Sequence, residues 1–531
     1  MERLGVESLL QQFAAAGEIA LLTSGQIGLE KEGLRVDSQG KIAQTPHPAA
    51  FGSALFNPRI TTDYSEALLE LITPPCSDAA GALAYLTDIH RFVQNHLGDE
   101  LLWNASMPCV VDGEDKIPLA RYGSSNAGKM KTVYRRGLGY RYGRTMQVIA
   151  GIHFNYSFSQ PFWERYQQIS GDRQSLPTFI AERSFALLRN LQRVGWLIPY
   201  LFGASPTICK SFLGGASTNL DHFDDTTYYG PFATSLRMGD IGYQNNKGND
   251  IGVKACYDNL QEYVDTLNYA IETSYPGYTR MGVKVNGEYR QLNDKILQIE
   301  NEYYSTVRPK QILIGNEMPT HALMRRGIAY IELRSLDINP FAPAGIDLNQ
   351  LLFLELLFIY ALLTESPAIA PWERGEIDKN EMEAAHNGRK YNIKLQRNGE
   401  MVPLRQWGEE ILDTLAVIAD YLDRQRGGIA YATALKAPGE RVANPDETLS
   451  AKMLREMIYH NEGFFSFSER HSREAQRQLQ QPPLSVEREA YFNDLVQRSL
   501  EAQQRQEAED DIDFDEYLRR YFAQTLLVGG R

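Results

Sequence analysis

The sequence predicts a protein of mixed helices and strands, and three stretches carry that expectation. Gly28-Leu29-Glu30-Lys31-Glu32-Gly33-Leu34-Arg35-Val36 is a short run that ends in apolar residues before Asp37-Ser38-Gln39-Gly40. Positions two apart share a face of a strand, so Glu30 and Glu32 point the same way. Val148 to Ser159 alternates more strictly, with Val148, Ile152, Phe154, Tyr156 and Phe158 on one face and Gly151, His153, Asn155 and Ser157 on the other. Gly327 to Asn339 does the same: Ile328, Tyr330, Glu332 and Arg334 oppose Ala329, Ile331, Leu333 and Ser335.

Around these strands the chain reads as helix and loop. Residues 1–22 carry Leu4, Leu9, Leu10 and Phe13 on one helical side. Ile60 to Thr73 fits two patterns, since Glu66, Leu68 and Glu70 share a strand face while Asp63, Glu66 and Glu70 share a helical one; Pro74-Pro75 ends it in either case. Ala79 to Leu97 predicts a helix closed by Gly98-Asp99-Glu100, and Pro177 to Tyr200 a second with a Phe/Leu/Trp stripe. Thr207 to Gly252 is rich in Gly, Asn, Asp and Tyr without periodicity and predicts long loops. Tyr257 to Thr273 returns to helix, Gln298 to Tyr304 predicts a strand, and a buried helix follows Asp347. Charged helical segments dominate from about Pro371.

The 531 residues carry 43% hydrophobic and 23% charged side chains, the balance of a globular protein. A net charge of −13 argues against nucleic acid or an anionic membrane as partner and leaves room for bound cations. Met1-Glu2-Arg3-Leu4-Gly5 has no basic segment leading into an apolar core, so no secretory signal is expected. The longest apolar run, Leu351 to Leu363, contains Glu355 and falls short of the ~20 residues a membrane span needs. Cys76, Cys109, Cys209 and Cys256 lack metal-binding spacing and are expected to be reduced packing residues of a cytoplasmic protein.

Hard divalent cations take carboxylate oxygens and an occasional imidazole, and Mg²⁺ commonly bridges protein carboxylates to substrate phosphates. Glu30, Glu32, Asp63, Glu70, His153 and Glu332 are of the right type on segments able to converge, although each alone is equally a surface carboxylate or a satisfied core histidine. Glu332 and Arg334 on one pleat suit a phosphoryl group, which needs both a metal and a fixed cation; a structural ion pair is the equal alternative. Gly123-Ser124-Ser125-Asn126-Ala127-Gly128-Lys129-Met130 nearly matches a P-loop, but Met130 stands where Ser or Thr would bind Mg²⁺. That segment predicts a mobile basic loop whose Lys129, Lys131, Arg135 and Arg136 meet phosphates.

Taken in order, several stretches resemble the glutamate–cysteine ligase (γ-glutamylcysteine synthetase) family in its proteobacterial form. They are Gly28 to Glu32, Thr61-Thr62-Asp63, Glu66 to Glu70, Tyr122 to Asn126, Gly151 to Asn155, Pro199 to Pro206, Ala233 to Arg237 and Tyr330 to Pro340. The resemblance implies an α+β fold with a curved, mostly antiparallel six-stranded catalytic sheet of the glutamine synthetase type, surrounded by helices. It implies one catalytic domain over residues 1–531 with a mainly helical part from about 371. The implied reaction phosphorylates the γ-carboxylate of glutamate with ATP, after which the amine of cysteine displaces phosphate to give γ-glutamylcysteine, the first step of glutathione synthesis.

By the same resemblance Glu30, Glu32, Asp63, Glu70, Glu100, His153 and Glu332 are expected as ligands of Mg²⁺, with Mn²⁺ as alternative. Arg135 and Arg334 are expected on phosphate, and Tyr134, Gln147, Arg237, Tyr243, Tyr304 and Arg308 around the amino acids. Glutathione is the implied feedback inhibitor. Two departures stand out: Gly33 follows Glu32 where a hydroxyl-bearing or similar small residue is expected, and the chain beyond about 370 matches loosely. The alternatives are a ligase of the same fold that joins glutamate to another amine, a kinase making a stable phosphorylated product, and a catalytically silent nucleotide-binding protein.

Overall fold

The computed structural model of the chain describes residues 2–242 and 253–524. Its centre is an antiparallel sheet built on β1 (Gln26–Val36). Its other strands are β2 (Ile60–Thr62), β3 (Leu68–Ile72), β4 (Leu101–Leu102) and β5 (Ile152–Ser157), joined much later in the chain by β11 (Val307–Lys310) and β12 (Tyr330–Leu336). Six of them run in the order β11-β12-β5-β1-β3-β2, and the two-residue β4 pairs with the end of β1 at Arg35 and Val36. The expected six-stranded antiparallel sheet is therefore present, with β4 added.

Alternation assigns the two faces. Ile27 and Leu29 of β1, Leu69 and Leu71 of β3, Phe154 and Tyr156 of β5 and Ile331 and Leu333 of β12 are buried on the helix-covered side. The helix Leu348–Leu363 lies there, starting at Asp347, whose side chain and Gln350 cap each other's backbone. Its Glu355, the one charge in the apolar run, accepts hydrogen bonds from Tyr156 at 3.2 Å and Tyr431 at 2.6 Å, tying the helix to β5. The helices Ala79–Gln94, Leu176–Arg193 and Leu404–Arg426 pack around it. Glu30, Glu32, Glu70, His153, Asn155 and Glu332 fall on the other face. Ile60 to Thr73 resolves as β2 and β3, with Glu66 in the turn between them, accepting from the backbone N–H of His47 and, at 2.6 Å, of Arg121.

Several expectations are corrected. The basic segment is no loop: Ser125 accepts from Gly128 N–H and caps a helix, Asn126–Tyr142, because its hydroxyl satisfies one of the free amides of the first turn. The stretch expected as a strand near Glu300 is a single 3₁₀ turn, Glu300–Glu302, since both carboxylates turn inward. Glu300 binds Thr320, and Glu302 pairs with Arg141 at 2.9 Å. Within the region expected as loops, β6 (Thr207–Cys209), β7 (Asp221–His222) and β8 (Thr227–Tyr229) form a small sheet. Hairpins β9 (Lys284–Val285) with β10 (Glu288–Tyr289) and β13 (Lys394–Arg397) with β14 (Glu400–Pro403) complete the strands described. Cys109 and Cys209, expected as thiols, are joined in a disulfide, whereas Cys76 and Cys256 remain free. The fold carries the two across a separation of 100 residues to a Cα distance of 5.4 Å, which no local spacing announces. Among the described residues no helix is long and apolar enough to cross a membrane.

Lys31 is the exception on the helix-covered face, 1% exposed between Glu30 and Glu32, which point the other way. Burial without a compensating anion pulls its ammonium down to about 7. Between pH 7 and the ordinary lysine range the unfolded chain holds a proton that the folded chain has released, so stability rises with pH through that window. Replacing Lys31 by Met should raise the thermal midpoint at pH 7, reflecting a gain in unfolding free energy on the order of a few kcal/mol, and the advantage should shrink by pH 9.5. A gap that does not vary with pH would show that Lys31 is paired in solution.

Candidate functional site

The polar face of the sheet floors a cavity of about 550 Å³. Register places its side chains. Glu30 lies opposite His153, Glu32 opposite Glu70, and Glu332 between Asn155 and Arg308 on its two neighbours. Asp63, just beyond β2, reaches the same cavity. Five carboxylates and an imidazole from six separate points of the chain thus converge.

His153 sits among them, its Nδ1 3.0 Å from Glu30 Oε2 and 3.8 Å from Glu332 Oε1, with Nε2 4.0 Å from Glu32 Oε1. Ligand atoms of Glu30, His153 and Glu332 all lie within 4.8 Å of one another. Asn155 donates to Glu30 at 2.9 Å, and the backbone N–H of Gly151 donates to Glu32 at 2.7 Å. Cations stand around Glu332: Lys310 at 3.2 Å and Arg334 at 3.1 Å. One extra residue on β12 between Leu333 and Leu336, relative to β5, makes a bulge that returns Leu336 to the core face, while Arg334 lines the cavity on the face it shares with Glu332 by simple alternation.

The electrostatics separate the carboxylates. Burial, reinforced by Glu30, Asp63 and Glu32, drives the Glu70 carboxyl well above the ordinary range. Burial also raises Glu32. At Glu332 burial is overcome by Lys310, Arg334, His153 and Arg308, which hold it well below that range. Glu30 is likewise lowered, the penalty of burial being outweighed mainly by its hydrogen bond from His153. Glu332 is therefore offset by cations and Glu30 by His153, while Glu32 and Glu70 are left with too little positive charge.

Arginines line the walls. Arg135 hydrogen-bonds the backbone carbonyl of Asp63, lies 3.5 Å from its carboxylate and stacks 4.6 Å over Tyr122. Arg237 donates to the Arg334 carbonyl at 2.9 Å and lies 3.6 Å from buried Asp337. It approaches so closely that a Cβ at residue 151 would meet its guanidinium at 2.1 Å, which explains the glycine before β5. Tyr134, Gln147, Tyr304 and Arg308 also line the cavity. The Gln147 amide nitrogen and Arg308 Nε are buried with no hydrogen-bond partner among the described residues.

Two expected residues do not join them. Glu100 pairs with fully buried Arg35 at 2.5 Å and accepts from Thr45, outside this cavity, because β4 meets β1 at the end remote from Glu30. Tyr243 lies outside the described residues. Of the basic residues on the helix Asn126–Tyr142, Lys131 and Arg135 line the cavity, while Lys129 faces solvent and Arg136 donates to the Tyr289 carbonyl at 2.6 Å. Sequence reasoning passed over Lys310, which has no periodic signal beside Pro309, and Asn155, which the alternation with His153 had already placed on this face. It also missed Tyr517 and Tyr521 from the far end of the chain.

Crowding has a measurable cost in metal-free protein. A carboxyl raised on folding loses stability as pH climbs through its folded value, so Glu70→Gln should stabilise the protein in chelator, by roughly 1 kcal/mol for a carboxyl still partly open to solvent. The gain in thermal midpoint should be larger at pH 8 than at pH 5. A destabilised variant at both would show that the carboxylate is satisfied by neighbours.

The comparisons with known proteins agree with this geometry. The family model described as glutamate-cysteine ligase matches residues 10–384. A glutamate–cysteine ligase of Pseudomonas paraeruginosa is 46% identical over 517 residues, 97% of this chain and 98% of its own. One from Alcanivorax borkumensis is 46% identical over 522 residues, 97% of this chain and 99% of its own. The crystal structure of Francisella tularensis glutamate–cysteine ligase in complex with AMP superposes with a TM-score of 0.88 at 35% identity, covering 95% of this chain and 98% of that one. A bifunctional glutathione synthetase from Pasteurella multocida shares the fold, with a TM-score of 0.73 at 23% identity over 92% of this chain and 58% of that one. The chain belongs to the glutamate–cysteine ligase family.

Proposed function

We propose that the protein uses ATP to join the γ-carboxyl of glutamate to the amine of cysteine, forming γ-glutamylcysteine, ADP and phosphate. The observation that carries this reading is the convergence of Glu30, Glu32, Asp63, Glu70, His153 and Glu332 in one cavity ringed by Arg135, Lys310 and Arg334. The donor set is oxygen-rich with one imidazole, and its excess of carboxylate asks for cationic charge, which suits Mg²⁺ or Mn²⁺. Bound there, such ions would offset the charge of the triphosphate.

A carboxylate is a poor acyl donor and must be activated. A γ-carboxylate oxygen of glutamate attacks the γ-phosphorus of ATP, the bond to the β-bridging oxygen breaks, and ADP leaves. Arg135 and Arg334 are placed to take up negative charge on the transferring group. The cysteine nitrogen, having lost its ammonium proton, then attacks the acyl carbon, and phosphate departs. Arg237, Arg308, Tyr134, Tyr304 and the unpartnered Gln147 amide suit the α-carboxylates and ammonium groups of the amino acids. The loop beyond Lys310 brings Leu313 and Pro319 to the lining beside Asn316 and Glu317, and with Leu55 and Met130 this surface suits the nucleotide base. The AMP in the Francisella relative supports a nucleotide site. Glutathione contains the γ-glutamylcysteine unit and is the proposed feedback inhibitor.

Incubation with ATP, Mg²⁺ and glutamate should release ADP together with stoichiometric γ-glutamylcysteine only when cysteine is added. Preference for another amine would change the acceptor and keep the mechanism; no turnover with any amine would overturn the reading. Glu332→Gln removes a charge and little volume, so turnover should fall by about 10²–10³-fold with the secondary structure intact. Mg²⁺ should raise the thermal midpoint of the wild type and not of Glu70→Gln.

A further inference from the structure

The last helix described, Phe514–Phe522, lies outside the residues matched by the family model, yet Tyr517 and Tyr521 from it line the catalytic cavity. They stand with Leu313, Gly315 and Asn316, on the loop that continues from β11 past Lys310. That is the end of β12 marked by Tyr330, opposite the end where Arg334 meets Arg237.

The helix is fastened on both sides of this end. On one side Gln524 donates to the Asn316 carbonyl at 2.9 Å and accepts from Met318 N–H at 3.2 Å, so it grips the loop at two backbone points. On the other, the chain leading into the helix meets the start of the basic helix Asn126–Tyr142. Glu507 accepts from Ser124 N–H at 2.7 Å, Asp510 accepts from Asn126 N–H, and the Asn126 amide donates to the Ile512 carbonyl at 2.9 Å. A third attachment runs through Asp515, bonded to Tyr289 at 2.7 Å and Lys284 at 3.1 Å, while Phe514 packs edge-on against Tyr289 at 5.2 Å. The helix thus bridges the loop after β11 and the start of the helix Asn126–Tyr142, both of which line the cavity. Leu518 and Tyr521 are buried and anchor it, at 5% and 6% exposure, while Tyr517, half-buried, is the more accessible of the two tyrosines that line the cavity.

We infer that the C-terminal helix is a wall of the nucleotide site, with the ring of Tyr517 the surface against which the purine packs. This rests on the ligase reading above, which puts the base beyond Lys310, beside Leu313 and Pro319. A flat heteroaromatic gains from an aromatic ring at offset-stacking or edge distance, whereas phosphates and amino acids at the charged end gain nothing from it. Tyr517 is accordingly a positioning and specificity residue for ATP, without a part in the chemistry.

The test separates base from phosphate. Full-length Tyr517→Ala, Tyr517→Leu and Tyr517→Phe are compared with wild type by kinetics and by titration calorimetry with ADP and with inorganic pyrophosphate, both with Mg²⁺. In the Ala and Leu variants the KM for ATP and the Kd for ADP should rise about tenfold. Pyrophosphate affinity, kcat and the KM values for glutamate and cysteine should stay unchanged. Tyr517→Phe, which keeps the ring, should behave as wild type. Tyr517→Leu keeps apolar volume and helix propensity, so it serves if the Ala variant is unstable. Unchanged ADP affinity in a folded Leu variant, or an equal loss for pyrophosphate, would overturn the inference while wild-type turnover keeps the ligase reading. A wild type that neither turns over nor binds ADP would remove both.

Discussion

Four carboxylates on one face of a sheet, with Asp63 just beyond its edge strand, repel one another, and the rest of the site is arranged around that repulsion. His153 stands among Glu30, Glu32 and Glu332, and Lys310 and Arg334 hold Glu332 ionised. Glu70 is left without such help, and its carboxyl is raised well above the ordinary range. Local charge of this kind is unfavourable in a protein selected for stability alone. It is the expected state of a site whose missing positive charge comes from its ligands.

The scaffold that tolerates this strain is the opposite face. β1, β5 and β12 bury their alternate residues against a helix that is apolar almost throughout, and Glu355 is accommodated there only because two tyrosine hydroxyls meet it. Antiparallel register then transmits precision from the core to the site. A slip of one residue would exchange His153 with Phe154 and empty the cavity of its imidazole. The bulge on β12 shows the same economy, since one additional residue lets both Leu333 and Leu336 face the core while Arg334 keeps the cavity face it shares with Glu332.

The charge distribution along the cavity divides labour in a way that suits a three-substrate reaction. Its lining combines Arg237, Arg308 and Gln147, the carboxylates around His153, and apolar side chains such as Leu313 and Pro319. Segments that line the cavity beyond Lys310 come from widely separated parts of the chain, the loop after β11 and the helix Phe514–Phe522. The C-terminal part is therefore joined to the site by side chains as well as by packing.

What the sequence by itself determined is what strand periodicity encodes. Two-residue alternation placed Glu30 with Glu32, His153 with Asn155, and Glu332 with Arg334, because side chains on a pleat have nowhere else to point. Alternation also marked the core faces of β5 and β12, and the family motifs named most of the carboxylates. It failed wherever the deciding contact was distant in sequence. Glu100 shares the chemistry of the other acids, but strand pairing takes it to Arg35 instead of the cavity. Cys109 finds Cys209, and Tyr517 finds the cavity, through tertiary packing alone. Lys310 becomes part of the site only because β11 pairs with β12. Residue type and local period are properties of a short stretch, whereas convergence depends on which strands pair and in what register. That choice belongs to the whole chain and was decided by the tertiary structure.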